Sequence, residues 1–235
     1  MGIRSSRDAI GTPEIGRTVR ILAIETSTSD YEVGVSSDSA HVVCTGNRFQ
    51  DDYDGIAGLV ERCLAEAETD VSSIDAIVVD RGPGNLTSVR SGLAYANALA
   101  YATKLPLYAV SSLEAMAYAA QSADASGTPV FVALAARNKE SGPFLAALHE
   151  KGIASRFAFD YLEKLASTLV SGYPRLNLAG SHIDAQVKSL PRIETLDSGI
   201  TRPQVRTLPT LLRDGILEAA QQALPLTEDS DEFRG

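Results

Sequence analysis

Asp80-Arg81-Gly82-Pro83-Gly84-Asn85 joins a short apolar run, Ile74 to Val79, to a long Ala-rich run, Leu86 to Thr103. The apolar run predicts a strand buried on both faces, and the Ala-rich run predicts a helix that others can approach closely. A Gly-Pro-Gly turn between them brings backbone N–H groups to the helix start, where unpaired donors and the peptide dipole favour an anion. The same sequence also suits a tight strand-to-helix turn that binds nothing.

The segments on either side of this turn extend the pattern. Residues 19–25, 31–36 and 41–45 predict three strands in an antiparallel meander. Residues 52–68 predict an amphipathic helix, because their apolar side chains fall at helical spacing. After the Ala-rich helix, residues 105–110 predict a fifth strand, and Ser111-x-x-Glu114 is a capping box that opens a helix to about Ala120. The predicted order is β-β-β-α-β-α-β-α.

The C-terminal half carries weaker patterns. Its predicted elements are strands over 130–135, 144–149 and 176–179, a helix over 160–170 and an amphipathic helix over 208–223, while residues 185–208 carry little pattern. We therefore divide the chain into a loose N-terminal extension (1–18), a first lobe (19–110), a smaller second lobe (111–207), a helix that returns to the first lobe (208–224) and a solvated acidic tail (225–235).

Composition limits the function. The net charge of −9 and a pI near 4.9 argue against wide binding to a phosphate backbone, so any contact with RNA is expected to be indirect. The two cysteines, Cys44 and Cys63, are expected to be buried thiols in a reducing, cytoplasmic compartment. The cysteines and the three histidines show no metal-ligand spacing, and no run reaches membrane-spanning length.

Three segments resemble the TsaB (YeaZ-like) family. Ile21–Thr28 resembles its opening strand and loop, Asp75–Gly92 resembles its GPGSFTGxRxG signature, and Leu105–Leu113 resembles the strand and helix start that follow. The order of elements also resembles the ribonuclease-H-like half of the actin, sugar-kinase and heat-shock ATPase superfamily. The resemblance implies an α/β fold with a mixed sheet, flanking helices and two lobes.

The resemblance also implies a function. Such proteins act as non-catalytic partners of the TsaD transferase, which makes threonylcarbamoyladenosine next to the tRNA anticodon. A TsaE-like ATPase joins them, they form homodimers in isolation, and they need no cofactor and no metal, although ATP or ADP can bind at a subunit interface. Partner and copy use the first two helices, where we expect interface residues at Ile56, Leu59, Val60, Cys63, Ala96 and Ala100.

The loop after the first strand and the glycine turn together are expected to form a weak nucleotide or anion site, referred to below as the cleft. Its residues are Glu25, Thr26, Ser27, Arg81, Gly82, Gly84 and Thr87, with no catalytic residue among them. The chain departs from the family here: Glu25 replaces an aspartate, Ser88 replaces a glycine of the signature, and Ala135 replaces an aspartate.

These departures keep two alternatives open, an ATP-dependent phosphotransferase of the sugar-kinase type and a diverged paralogue that only binds. A phosphotransferase would use Glu25 and Asp80 as carboxylates at strand ends, with Leu178-Ala179-Gly180-Ser181 as a weak candidate for a second phosphate loop. A glycoprotease would need a His-x-x-x-His metal-binding pair, which this sequence does not contain.

Overall fold

The computed structural model describes residues 19–124, 126–136, 142–150, 155–181 and 193–233. These residues fold into two units, each with its own sheet. The first contains the described residues up to Arg81 together with Asn85–Val110 and Gln204–Pro225. The second contains Gly82–Gly84, the described residues from Ser111 to Pro203, and those from Leu226 onward. The predicted N-terminal extension, residues 1–18, lies outside the described residues.

The regular elements are numbered in chain order. The strands are β1 (Ile21–Glu25), β2 (Asp30–Ser36), β3 (His41–Asn47), β4 (Ala76–Asp80), β5 (Leu107–Val110), β6 (Val130–Ala135), β7 (Phe144–His149), β8 (Arg156–Asp160), β9 (Arg175–Gly180), β10 (Glu194–Asp197) and β11 (Ala219–Ala220). The helices are α1 (Gly55–Glu66), α2 (Leu86–Thr103), α3 (Ser112–Ala123), α4 (Leu162–Leu169) and α5 (Leu208–Arg213). The predicted order of the first eight elements is confirmed.

The first unit is built on a six-stranded mixed sheet in the order β11-β5-β4-β1-β2-β3. β1, β2 and β3 form the predicted antiparallel meander, and β4 lies parallel between β1 and β5. This central position explains the apolar run of β4, since its side chains are covered on both faces.

Helices cover the two faces of this sheet differently. α1 packs on β2 and β3, and α2 packs on β1, β4 and β5, over a core that includes Leu22, Val33 and Ile77. The side chains that alternate with these, such as Ala23 and Val78, point to the other face, where α5 contacts β1 and β4. Cys44 and Cys63 are buried on the α1 side and unbridged.

The second unit has a five-stranded mixed sheet in the order β10-β9-β6-β7-β8. α3 packs on β6, β7 and β9, and α4 packs on β7 and β8. The predicted strands over 130–135, 144–149 and 176–179 are confirmed. β8 and β10 were not predicted; β8 takes Asp160, which the predicted helix over 160–170 had included.

The C-terminal prediction was wrong in one respect. The helix predicted over 208–223 ends at Arg213, because Gly215 adopts a left-handed φ of 71°. Its N–H donates to the Leu212 carbonyl and the N–H of Ile216 donates to that of Leu211, a Schellman cap. The chain then forms β11 against β5.

The acidic end of the chain also differs from expectation. Asp231–Phe233 forms a 3-10 turn, and the Phe233 ring meets the Phe157 ring edge to face at 5.7 Å. The end of the described chain is therefore attached to the second unit and not simply solvated. Among the described residues, no helix combines the length and apolar character needed to cross a membrane.

Candidate functional site

Three acidic side chains lie at the same end of adjacent strands in the first unit. Glu25 is the register partner of Glu32, and Asp80 follows Val79, the partner of Ile24. Alternation along the strands puts Glu25, Glu32 and Asp80 on one face of the sheet. Their exposed fractions are only 0%, 7% and 1%, so three carboxyl groups share a site almost closed to water.

Glu25 is neutral in this site. Burial, followed by the charge of Asp80, raises its pKa from 4.5 to about 8, although two hydrogen bonds from Ser27 oppose the shift. Its Oε1 accepts from the backbone N–H and the hydroxyl of Ser27, while its buried Oε2 has no hydrogen-bond partner among the described residues. At pH 7 the side chain is therefore a carboxylic acid close to two other carboxyl groups, which is suited to holding a proton.

The loop after β1 is tied to the start of α2. The Thr26 hydroxyl donates to the Ser88 carbonyl at 3.0 Å, and the Asn85 N–H donates to the Ser27 carbonyl at 2.7 Å. Asn85 caps the helix, since its side chain accepts from the Ser88 N–H at 3.2 Å. Ser88, which departs from the family signature, is fully buried and has become part of this network.

Gly92 allows the helix to approach this loop. A Cβ added there would lie 2.1 Å from the Thr26 Oγ1 and 3.1 Å from its Cβ and Cγ2. A side chain at position 92 would therefore push α2 away from β1.

The remaining predicted cleft residues are more dispersed. Arg81 is half-buried and donates its backbone N–H to the Val110 carbonyl at 2.9 Å, whereas Gly84 and Thr87 are exposed. Gly82 needs to be glycine, because its φ of 87° lies in the left-handed region; it is grouped with the second unit, where its carbonyl accepts from the Ser112 N–H. Thus Glu25, Thr26 and Ser27 lie next to the start of α2, and a nucleotide or anion site at this loop and at the glycine turn stays a prediction.

The residues predicted for the interface require a correction. Five of them are buried in the core of the first unit, with exposed fractions of 9% or less: Leu59, Val60, Cys63, Ala96 and Ala100. Ile56 is half-buried against the same core. The helical spacing that selected them identified the face that covers the sheet, so a partner surface must use the opposite face of each helix.

Sequence reasoning missed Glu32 as a member of the site and left Asp80 out of its set. The signal was present, because Glu32 is a charged residue inside an apolar strand, and an antiparallel pairing across residues 26–29 brings it opposite Glu25. In the part of the chain that the structure describes, no group of three or more His, Cys, Asp or Glu side chains could hold a metal ion.

Comparison with known proteins places this chain in a family. A model of "TsaD: tRNA N6-adenosine threonylcarbamoyltransferase" matches residues 54–194, which is more than half of the chain. The chain belongs to the TsaD family. Its resemblance to TsaB proteins is also confirmed, since the tRNA threonylcarbamoyladenosine biosynthesis protein TsaB of Escherichia coli is 35% identical over 126 residues, covering 52% of each chain.

Two further relatives define the extent of the likeness. The tRNA N6-adenosine threonylcarbamoyltransferase of Thermodesulfovibrio yellowstonii is 34% identical over 110 residues, which are 40% of this chain and 33% of the relative. The chain therefore matches about half or less of the length of both curated relatives. The solved structure of YeaZ from Pseudomonas aeruginosa shares the fold, with a TM-score of 0.70, 23% identity, and coverage of 89% of this chain and 99% of that one.

Proposed function

We propose that the chain is a non-catalytic partner of a TsaD-like transferase in the threonylcarbamoyl modification of the tRNA adenosine next to the anticodon. The names of its relatives support the pathway. One observation on the first unit carries the partner role, namely the exposed face that α1 and α2 form on the side away from the sheet.

Five of the seven residues that we assign to this exposed face are alanines, and the charged Arg62 and Glu66 are exposed on α1 as well. The seven residues are Ala57, Glu61 and Ala65 on α1 and Ala94, Ala98, Tyr101 and Ala102 on α2. The two helices contact each other, and the charge of Glu61 adds to burial in raising the pKa of Tyr95. Small side chains allow helices of another protein to approach to about 8 Å.

Tyr101 adds a large, exposed aromatic ring to the alanines of this face. Its ring is 79% exposed, and the Lys104 ammonium lies 4.2 Å from the ring centroid. Exposed tyrosines with a nearby cation are typical of the few residues that carry most of the binding energy at protein interfaces. We therefore assign Tyr101 as the anchor of the proposed interface.

A pull-down with the TsaD-like transferase of the same organism tests the proposal. Tyr101→Ala is expected to weaken capture by roughly tenfold or more, which corresponds to the loss of a buried aromatic contact. Tyr161→Ala is the matched control, because Tyr161 is 60% exposed but lies in the second unit at the start of α4. Equal capture by the parent and Tyr101→Ala would reject this face.

The proposed assembly of this chain with a TsaD-like transferase carries further expectations. A TsaE-like ATPase is the expected third component, ATP or ADP is expected only at a subunit interface, and tRNA is expected to contact the assembly mainly through the transferase. The exposed face is also the expected contact of a homodimer when the transferase is absent.

The phosphotransferase alternative rests on Glu25 and Asp80 at adjacent strand ends. The candidate for a second phosphate loop, Leu178-Ala179-Gly180-Ser181, argues against it, because all but its last residue lie in β9 instead of forming a glycine-rich turn. Purified chain should therefore show negligible magnesium-dependent ATP hydrolysis. Turnover on the order of 1 per second that is lost in Glu25→Ala would favour the kinase reading.

A further inference from the structure

A cationic cluster lies on the face of the first sheet opposite α1 and α2. It consists of His41 on β3, Arg206 in the 3-10 turn Val205–Thr207, and Arg213 at the end of α5. The Arg213 Nη2 donates to the Ser36 hydroxyl at 3.0 Å, and Ser36 is the register partner of His41. Sequence reasoning did not anticipate this cluster, because His41 is more than 160 residues away from both arginines along the chain.

Gly34 on β2 lies beside both His41 and the turn that carries Arg206. A Cβ built on Gly34 would be in ordinary contact with both, at 3.4 Å from the His41 Cε1 and 3.5 Å from the Val205 methyl groups. The Val205 N–H donates to the Glu32 Oε2 at 3.0 Å, which fixes the turn that carries Arg206. The cluster is therefore held by backbone contacts and not only by flexible side chains.

Glu32 is an acidic group on the same face of the sheet as the cluster, and its Oε2 is bonded to the Val205 N–H. Arg206 and Arg213 are both exposed, and both add to partial burial in lowering the pKa of His41. Within the described part of the chain, no ion pair joins either arginine to a carboxylate. The net charge of the whole chain, with these two arginines included, is −9.

We propose that His41, Arg206, Arg213 and Ser36 form a binding site for a phosphate group. Guanidinium groups present parallel donors that match phosphate oxygens, an imidazolium adds charge, and a hydroxyl adds a donor. An anion here would relieve the mutual repulsion of the two guanidinium groups and would favour the protonated form of His41. The acidic remainder of the chain restricts the site to one or two phosphates and excludes a long nucleic-acid track.

The phosphate could belong to an RNA backbone or to a nucleotide, and the chemistry of the site is the same for both. The site lies on the face opposite the surface proposed to bind the transferase. Its occupancy therefore does not depend on the proposed function, and either proposal can fail while the other stands.

Proton NMR of the full chain tests the site directly. The sequence has only three histidines, so the Cε1–H signal of His41 can be assigned by its loss in His41→Gln. Inorganic phosphate is expected to shift this signal and to raise the pKa of His41. His149, in the second unit and bonded to the Ser155 hydroxyl, is the internal reference and should not respond.

Matched variants separate the site from general charge effects. Arg206→Gln is expected to raise the apparent dissociation constant for phosphate by roughly tenfold, as expected for the loss of one charge-assisted contact. Arg90→Gln removes the same charge from the exposed side of α2 and should leave binding unchanged. An unchanged response in Arg206→Gln, or equal shifts of His41 and His149, would overturn the proposal.

Competition identifies the source of the phosphate. An RNA stem-loop that displaces phosphate at lower concentration than ATP indicates an RNA backbone, and the reverse order indicates a nucleotide. Displacement by either ligand that is weakened in Arg206→Gln supports the site. Displacement by neither ligand contradicts it.

Discussion

Glu25 determines how the stability of the first unit depends on pH. The pKa of its carboxyl is about 8 in the folded chain and near 4.5 when the group is free, so the folded state binds an extra proton between these values. The free energy of unfolding should therefore fall as the pH rises from about 4.5 through 8. We expect Glu25→Gln, which is neutral at every pH, to remove this fall and to be more stable than the parent at pH 8.5 by roughly 2–4 kcal/mol.

Urea unfolding at pH 5.5 and pH 8.5 measures this difference. Glu218→Gln is the control, since Glu218 is exposed and the same substitution there should leave the pH dependence of the parent intact. If Glu25→Gln still lost stability over this range at the rate of the parent, the carboxyl would be ionised in the fold.

Replacing either of two helical glycines, Gly92 or Gly58, by alanine tests whether packing or helix propensity decides the change in the free energy of unfolding. Gly92→Ala would place a methyl group 2.1 Å from the buried Thr26 hydroxyl, whereas Gly58→Ala would place one 2.1 Å from the carboxylate of exposed Asp54. The Asp54 side chain can swing away, but Thr26 is held between β1 and α2. We expect Gly92→Ala to lower the free energy of unfolding by roughly 1–3 kcal/mol and Gly58→Ala to raise it slightly. Equal effects in chemical denaturation would show that α2 can shift freely.

At the scale of elements, the segment after α5 depends on one side chain of α2. The Asn97 amide donates to the Ala223 carbonyl and accepts from the Ala223 N–H, both at 2.9 Å, and so takes the place of a neighbouring strand. We expect Asn97→Ala to release this segment, with faster amide exchange at Ala223 and a loss of about 1–2 kcal/mol. Gln222→Ala, an exposed change in the same segment, should leave the exchange unchanged. Unaltered protection in Asn97→Ala would mean that β11 alone holds the segment.

The elements that could be predicted differ physically from those that could not. β4 and α2 were predicted closely because each is defined by its own residues, an unbroken apolar run and a long run of strong helix formers. The helix end at Arg213 was missed, although Gly215 was a readable stop signal, because apolar residues continue beyond it. β10 and β11 have little pattern of their own and exist through their pairing with β9 and β5. The sites follow the same rule. The Glu25 loop could be located from sequence, but the bond from Arg213 to Ser36 depends on the return of the distant C-terminal segment.

At the scale of the whole molecule, α2 separates the ability to fold from the ability to associate. Ala96 is fully buried against the sheet, whereas Ala98, two residues later, lies on the exposed face proposed for the partner or a second copy. Ala96→Leu should overpack the core and lower the free energy of unfolding by roughly 1–3 kcal/mol. Ala98→Leu should melt like the parent but form fewer dimers, because a larger side chain holds the opposing helix away. Thermal melts and light scattering measure the two effects, with Ala123→Leu at the exposed end of α3 as the control for both. Dimers of Ala98→Leu as stable as those of the parent would place self-association on another surface, and a normal melt for Ala96→Leu would mean that the core beneath α2 has room to spare.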